Sequence, residues 1–572
     1  MRILIILLFT FSLQAQTITD TEKQKWMARD GKRIDGGFNL GYNFLAWFAN
    51  GTQEQRYAEV QAVVNELLNG ESWYGGNRAN AVIAAQLYFW YGNKLRNAEK
   101  FQIEARLKAL VQDKYYFGIG TSNTGLNCFT ARYIMAQHDK NAVVVYNDVG
   151  NTFGPPNFTY NGKTYTRGQT YNSYELSRDF IFYWMDQYIN AGYLHGELFS
   201  EIYGFHFLNC LVTLADTRMV QDAEMRKRAR MISDFFLLEH VVNTNGHHQA
   251  APLGRSYMQL HLDGTRHLFY WDVYWGQMYP THYGHPDGPF ISDYRITKLM
   301  EDVGIYTDEP ADYFHVVRSN VQNGRNVFIA KDFTLGSNPD DGNWVLEING
   351  NDQGAQPATR KGFPFRIWLN EHPKDLDPAS CTGECYSVMG THGHQYKNAI
   401  FVKQGSAILH EAIPGSAWDV IETSGAWRFS REGNVGVAIN RGGSSAALEV
   451  VRIGIDYPTW GDFKSAIFGK AKLEGEAYVT SKGDRIEARF NPNTRRLETW
   501  VLDSVGDYWI GEGIKRIEVV ANLGEKVVEW NGRVLVVKKH GKMGRWDFNT
   551  WSYIEGGDVV APAPPKGFIV TQ

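Results

Sequence analysis

From about Thr19 to about Asn320 the apolar residues recur at intervals of three and four, the period of an amphipathic helix. The spacing predicts helices over Tyr57 to Leu68, Asn77 to Tyr91, Ala105 to Val111, Leu126 to Ala136, Tyr174 to Ile189, Phe205 to Leu214, Ala223 to Leu238 and Ile291 to Val303. Polar or glycine-bearing turns separate them, as at Asn69-Gly70, Gly92-Asn93 and Ala191-Gly192. Roughly ten such helices in hairpin-like succession are too many for one bundle, and their lengths fit a ring of paired helices.

Around Arg325 the period changes to two. Asn343 to Ile348, Ala399 to Lys403, Asn434 to Ile439 and Val527 to Trp530 read as strands, punctuated by turns at Asn531-Gly532 and Gly442 to Ser445. The whole second half is expected to be antiparallel sheet, and no internal repeat points to a propeller or solenoid. The pattern divides the mature chain into a helical toroid over residues 16–322 and an antiparallel β-sandwich over 323–572, an α+β multidomain chain.

The first fifteen residues sit outside that architecture. Arg2, the apolar run Ile3 to Leu13 and the small Ala15 have the order of a secretory signal peptide, too short for a membrane span. The mature protein is therefore expected to be secreted or periplasmic, without membrane insertion. A net charge of −4 with no block of either sign argues against a nucleic-acid partner, yet leaves room for one basic cleft. Four cysteines remain. Cys381 and Cys385 are close enough in a glycine-bearing loop for a disulfide or a metal, while Cys128 and Cys210 fall on apolar helical patterns as buried thiols. Seventeen Trp and thirty-one Tyr offer flat faces for sugar rings, although most will be core filler.

Three helical-half segments carry catalysis-grade side chains. Asn123 and Asn127, at the entrance to the helix ending at Ala136, share a face four residues apart; Ser122 or Asn123 is equally suited to cap that helix. Tyr203, His206 and Asn209 form a polar seam on an otherwise apolar helix. The run Asn245 to Tyr257 reads as a loop and holds His247, His248, Arg255 and Tyr257; a cation beside Tyr257 favours its phenolate. In the second half His392 and His394 would share a strand face. With His410, and Asp419 as a candidate carboxylate, they form a weak candidate metal site, and no cofactor is expected. No phosphate loop, zincin motif or nucleophile elbow is present.

These residues carry a resemblance to polysaccharide lyases built on an incomplete (α/α) toroid followed by a sheet domain, the heparinase II/III and alginate lyase type. Asn123 matches the Asn of their Ser-Glu-Asn-His-like segment, though Thr124 stands where the His would be. Ser200-Glu201-Ile202-Tyr203 matches a Ser-x-x-Tyr segment and Gly254-Arg255-Ser256-Tyr257 a Gly-Arg-x-Tyr segment. His394-Gln395-Tyr396-Lys397-Asn398 is similar to a recurrent stretch of their sheet domain.

The resemblance implies β-elimination on an acidic polysaccharide such as ulvan, glucuronan or alginate. Asn123 and Arg255, assisted by Asn127 and His247, would bind the substrate and quiet the uronate charge. Tyr203 would be the acid and also a base, with His248, His206 and Tyr257 assisting. His206 or His248 would replace the missing histidine. Two other classes compete. A glycoside hydrolase on the same toroid needs paired carboxylates, for which Glu197, Glu201, Asp263 and Asp272 are available. A non-catalytic glycan-binding protein would use the aromatics alone.

Overall fold

The computed structural model describes residues 54, 76–112, 122–146, 157–190, 203–242, 244–245, 248–249 and 288–303 in the first half. In the second half it describes 313–317, 325–330, 332–337, 365–369, 386–388, 392–403, 409–411, 419–440, 445–493, 496–510, 517–521, 525–539 and 541–556. The chain combines helices with antiparallel sheets, and its C-terminal region is rich in strands. The signal-peptide segment, the expected helix at Tyr57 to Leu68, the expected strand at Asn343 to Ile348 and the Cys381/Cys385 pair lie outside the described residues.

Helices α1 (Gly76–Tyr91), α2 (Asn97–Gln112), α3 (Ser122–Ala136), α4 (Ser173–Ile189), α5 (Tyr203–Ala215) and α6 (Ala223–Val241) follow the three-four spacing. The local sequence supplies their caps. Asn172 accepts from the Glu175 amide ahead of α4, and Asp222 from the amides of Glu224 and Met225 ahead of α6. Each cap satisfies donors that a first helical turn leaves open. α3 packs against α1, α2, α4 and α5, and α5 packs against α6. Phe129 of α3 stacks on Phe180 of α4 with ring centroids 3.7 Å apart, and Trp184 of α4 stacks on Phe207 of α5 at 5.9 Å.

The expected helix from Ile291 to Val303 is instead two short ones, α7 (Gly288–Ile291) and α8 (Lys298–Val303). Tertiary bonds take over the residues between. Asp293 accepts from Thr217 and Arg230, its own amide donates to Asp216, and the Tyr294 hydroxyl donates to Asp234. The helical half also contains strands that its periodicity does not announce. β1 (Val143–Val145) pairs with β4 (Thr170–Asn172), and β2 (Asn157–Tyr160) pairs with β3 (Lys163–Thr166). The β2–β3 turn is Asn161-Gly162, both with positive φ, the backbone that a two-residue hairpin turn requires.

After a short two-residue pair, β5 (Thr244–Asn245) with β6 (His248–Gln249), the strands of the second half begin. They are β7 (Tyr313–Val317), β8 (Arg325–Ile329), β9 (Phe333–Ser337), β10 (Phe365–Leu369), β11 (Tyr386–Val388), β12 (His392–Tyr396), β13 (Ala399–Lys403), β14 (Leu409–Glu411), β15 (Val420–Ser424), β16 (Trp427–Glu432), β17 (Val435–Asn440) and β18 (Ser445–Arg452). Then follow β19 (Lys472–Glu474), β20 (Ala477–Val479), β21 (Arg485–Asn491), β22 (Arg496–Leu502), β23 (Asp507–Trp509), β24 (Ile517–Ala521), β25 (Glu525–Asn531), β26 (Val534–Lys539), β27 (Lys542–Asp547) and β28 (Ser552–Gly556). Three larger sheets result: a nine-stranded one in the order β10-β9-β8-β7-β24-β25-β26-β27-β28, a six-stranded β12-β13-β18-β17-β16-β15 and a five-stranded β19-β20-β21-β22-β23.

The nine-stranded sheet joins early and late chain along one seam, where β7 pairs antiparallel with β24. Its two faces serve two apolar cores. On β8, Val327 and Ile329 belong to the core that holds the helices, and Phe328 belongs to the core of the other two sheets, as a period of two requires. From the late strands Val528, Leu535, Val537, Trp546 and Phe548 join the helical core. One helix interrupts the expected all-strand half. α9 (Trp460–Lys470) starts at a Thr459/Asp462 capping box and buries Phe463 and Ile467. A Cβ on Gly436 would come within 2.7 Å of the Trp460 ring, so glycine is what lets α9 lie on β17.

Candidate functional site

Helix α5 opens at Tyr203, so its first turns present positions 203 and 206 in succession. Apolar packing surrounds its later turns: Phe207, Leu208, Leu211 and Leu214 are buried in the helical core, and every residue from 207 to 215 is buried. Asn209 is buried among them, and its Oδ1 accepts a hydrogen bond from Gln86 Nε2 of α1 at 2.9 Å. The side chains of Tyr203 and His206 lie outside the described residues, so the predicted seam is seen at its third member only. Asn123 stands in the first turn of α3 and its side chain is likewise outside; Asn127, one turn on, is buried. Asn127 therefore sits within the packed helices.

The helices that carry Asn123 and Tyr203 lie side by side. The Cys210 thiol of α5 rests beside Thr130 and Cys128 of α3. Both cysteines are buried thiols not joined in a disulfide, and burial pushes the Cys210 thiol well above its ordinary range, which keeps it protonated and unreactive. That fits the buried-thiol expectation.

The segment expected as a loop begins as a hairpin. Thr244 pairs with Gln249 and Asn245 with His248, leaving Gly246 and His247 between the paired residues. The Asn245-Gly246 dipeptide is the hairpin signal that a search for catalytic side chains passes over. The hairpin follows α6 directly and packs against it. Arg255 and Tyr257, like Glu197, Glu201, Asp263 and Asp272, lie outside the described residues, as do the side chains of His247 and His248.

In the second half the segment His394 to Asn398 is a hairpin turn, and each of its residues has a structural contact. Buried His394 meets Thr499 through Nδ1 at 3.1 Å. Gln395 Nε2 donates to the carbonyls of Leu335 and Lys397, at 3.0 and 2.8 Å. The Tyr396 hydroxyl donates to Asp503 at 2.5 Å, and Asn398 Nδ2 donates to the Val450 carbonyl at 2.6 Å. Lys397 adopts φ +50 in the turn, half-buried over the Tyr396 ring, and burial lowers its pKa. His392 and His410 lie on β12 and β14 with side chains outside the described residues. Asp419 precedes β15, at the opposite edge of the six-stranded sheet from the β12 of His392, and accepts from the Gly433 amide at 2.9 Å. Among the described residues no group of three or more His, Cys, Asp or Glu is placed to hold a metal ion.

Sequence reasoning missed Gln86, Thr213, Asp234 and Gly288. Gln86 Nε2 also reaches Thr213 Oγ1 at 2.7 Å, and a Cβ on Gly288 would fall 1.9 Å from Asn209 Oδ1. The buried Asp234 accepts from Tyr294 at 2.6 Å and from Trp546 Nε1 at 2.8 Å; burial pushes its pKa up to about 6. The one local signal was a lone amide in the apolar run Val82 to Tyr91. No helix among the described residues is long and apolar enough to cross a membrane. No protein-family model, curated protein or solved structure matches the chain.

Proposed function

We propose that the chain is a secreted or periplasmic polysaccharide lyase that cleaves a uronate-containing polymer by β-elimination, on an incomplete (α/α) toroid backed by a β-sandwich. The observation that carries this reading is the contact of Cys210 with Thr130. Cys210 lies two turns beyond Tyr203 and Thr130 lies two turns beyond Asn123. The two packed helices thus carry the amide and the phenol of the proposed site in their first turns.

In the proposed site Asn123 and Arg255 neutralise the uronate carboxylate, with His247 supporting the bound sugar. That makes the proton on the adjacent carbon removable. Tyr203, with His248, His206 and Tyr257 as partners, takes that proton. The C–H electron pair becomes the new carbon–carbon double bond, the glycosidic carbon–oxygen bond breaks, and the leaving oxygen is protonated by the phenol. No water is consumed and no metal is invoked.

The experiment is incubation with ulvan, glucuronan and alginate while following the ultraviolet absorbance of the conjugated unsaturated uronate. Absorbance should rise with wild type and drop roughly a hundredfold or more in rate with Tyr203→Phe. Reducing ends without that absorbance, abolished instead by Glu201→Gln or Asp272→Asn, would identify a hydrolase. Binding without any cleavage would identify a glycan-binding protein.

A further inference from the structure

Fully buried Gln86 is the hub of a polar contact among three separate stretches of chain. From α1 its Nε2 donates to Asn209 Oδ1 and Thr213 Oγ1 of α5, and the Thr213 hydroxyl donates back to the Asn209 carbonyl at 2.6 Å. Gly288, where the chain enters α7, presses directly on this contact. Its Cβ would sit 1.9 Å from Asn209 Oδ1 and 3.0 Å from Gln86 Nε2. Among the described residues Gln86 Oε1 is buried with no hydrogen-bond partner. An open buried acceptor costs stability, so what the amide contributes is the geometry of its two donated bonds.

The placement of these residues gives that geometry a purpose. On α5 the positions 206, 209 and 213 fall within an arc of about 60°, and 203 is about 60° from 206. The rotation of α5 therefore decides where positions 203 and 206 face. Apolar contacts such as Phe207 and Leu211 tolerate small rotations, whereas two hydrogen bonds from one rigid amide do not.

We propose that Gln86, Asn209 and Gly288 form a positioning clamp that sets the rotation of α5. The clamp thereby fixes the direction in which positions 203 and 206 are presented. This rests on the reading of Tyr203 as the catalytic phenol. None of the three is a catalytic residue; they act through α5.

The test uses the full chain with Gln86→Met, Gly288→Ala, and Gly288→Ala combined with Asn209→Ala. Two readouts are taken: kcat and KM for unsaturated-uronate formation, and amide hydrogen exchange along α5 and α6. Gln86→Met and Gly288→Ala should lower kcat by about tenfold to a hundredfold with little change in KM. Exchange should rise at residues 203–207 and stay unchanged across α6. The double variant removes the atom that the new methyl strikes, so it should regain the melting temperature lost by Gly288→Ala without regaining kcat. Recovery of both together would overturn the clamp, because kcat would then only be following stability. If wild type forms no unsaturated uronate on any polymer, the functional reading fails by itself. The exchange measurement still judges the clamp in that case, and unchanged exchange at 203–207 in Gln86→Met overturns it.

Discussion

Asp234 places a carboxylate between α6 and β27, where Tyr294 and Trp546 both donate to it. Burial raises its pKa to about 6, against the pull of those two donors and of Arg230. The ordinary carboxylate value of about 3.9 applies to the unfolded chain. Between about pH 4 and about pH 6 the folded state therefore holds a proton that the unfolded state has released, so this group's contribution to stability falls as pH rises through that window and then levels off. Asp234→Asn keeps the shape and removes the titration. The unfolding free energy of wild type relative to that variant should decline from about pH 4 to about pH 6.5 in urea titrations. A flat difference would show that the site does not titrate there. Neither this carboxylate nor Gln86 was legible in the sequence, because each depends on partners far away: Gln86 and Asn209 are 123 positions apart. The polar spacing on α5 was legible, since it is written within one helix.

At the scale of elements, the joint between α8 and β27 depends on a missing side chain. A Cβ on Gly544 would come within 2.6 Å of Leu299 and 2.9 Å of the Trp546 ring. Gly544→Ala should cost about 1–3 kcal/mol by overpacking, read as a lower urea midpoint at unchanged slope. An unaltered midpoint would mean that α8 can shift away freely. Helices α1 and α3 to α6 were readable from the three-four recurrence of their apolar residues, although 126–136 of α3 and 207–215 of α5 are buried on every face. The stretch from Ile291 to Val303 has the same periodicity, but Asp293 and Tyr294 are held by Asp216, Arg230, Thr217 and Asp234, and the helix breaks there. α9 went unread amid strands, although Thr459 and Asp462 spell its capping box. The His394 to Asn398 segment was legible as a motif and not as a structure. Its structure rests on hairpin contacts to Leu335, Thr499, Asp503 and Val450.

At the scale of the molecule, the helices and the late strands β24 to β28 share one apolar core, and Arg533 at the β25–β26 turn pairs with Asp186 of α4 at 2.6 Å. A chain truncated before Ile517 should therefore fail to form a stable helical half, seen as loss of near-ultraviolet dichroism and of any cooperative melt. A sharp melt in that fragment would show that the helices fold alone. The division into helix and strand was plain in the sequence; the return of the last strands to the helices was not, because pairing partners in a sheet leave no local trace. The seam between β7 and β24 also has a consequence in time. About 200 residues separate these neighbours, so at some 5–20 residues per second a ribosome needs on the order of ten seconds or more after releasing β7 to deliver its partner. Throughout that wait the nascent polypeptide displays a bare strand edge, open to mispairing with any other chain, and something in the cell must keep it covered.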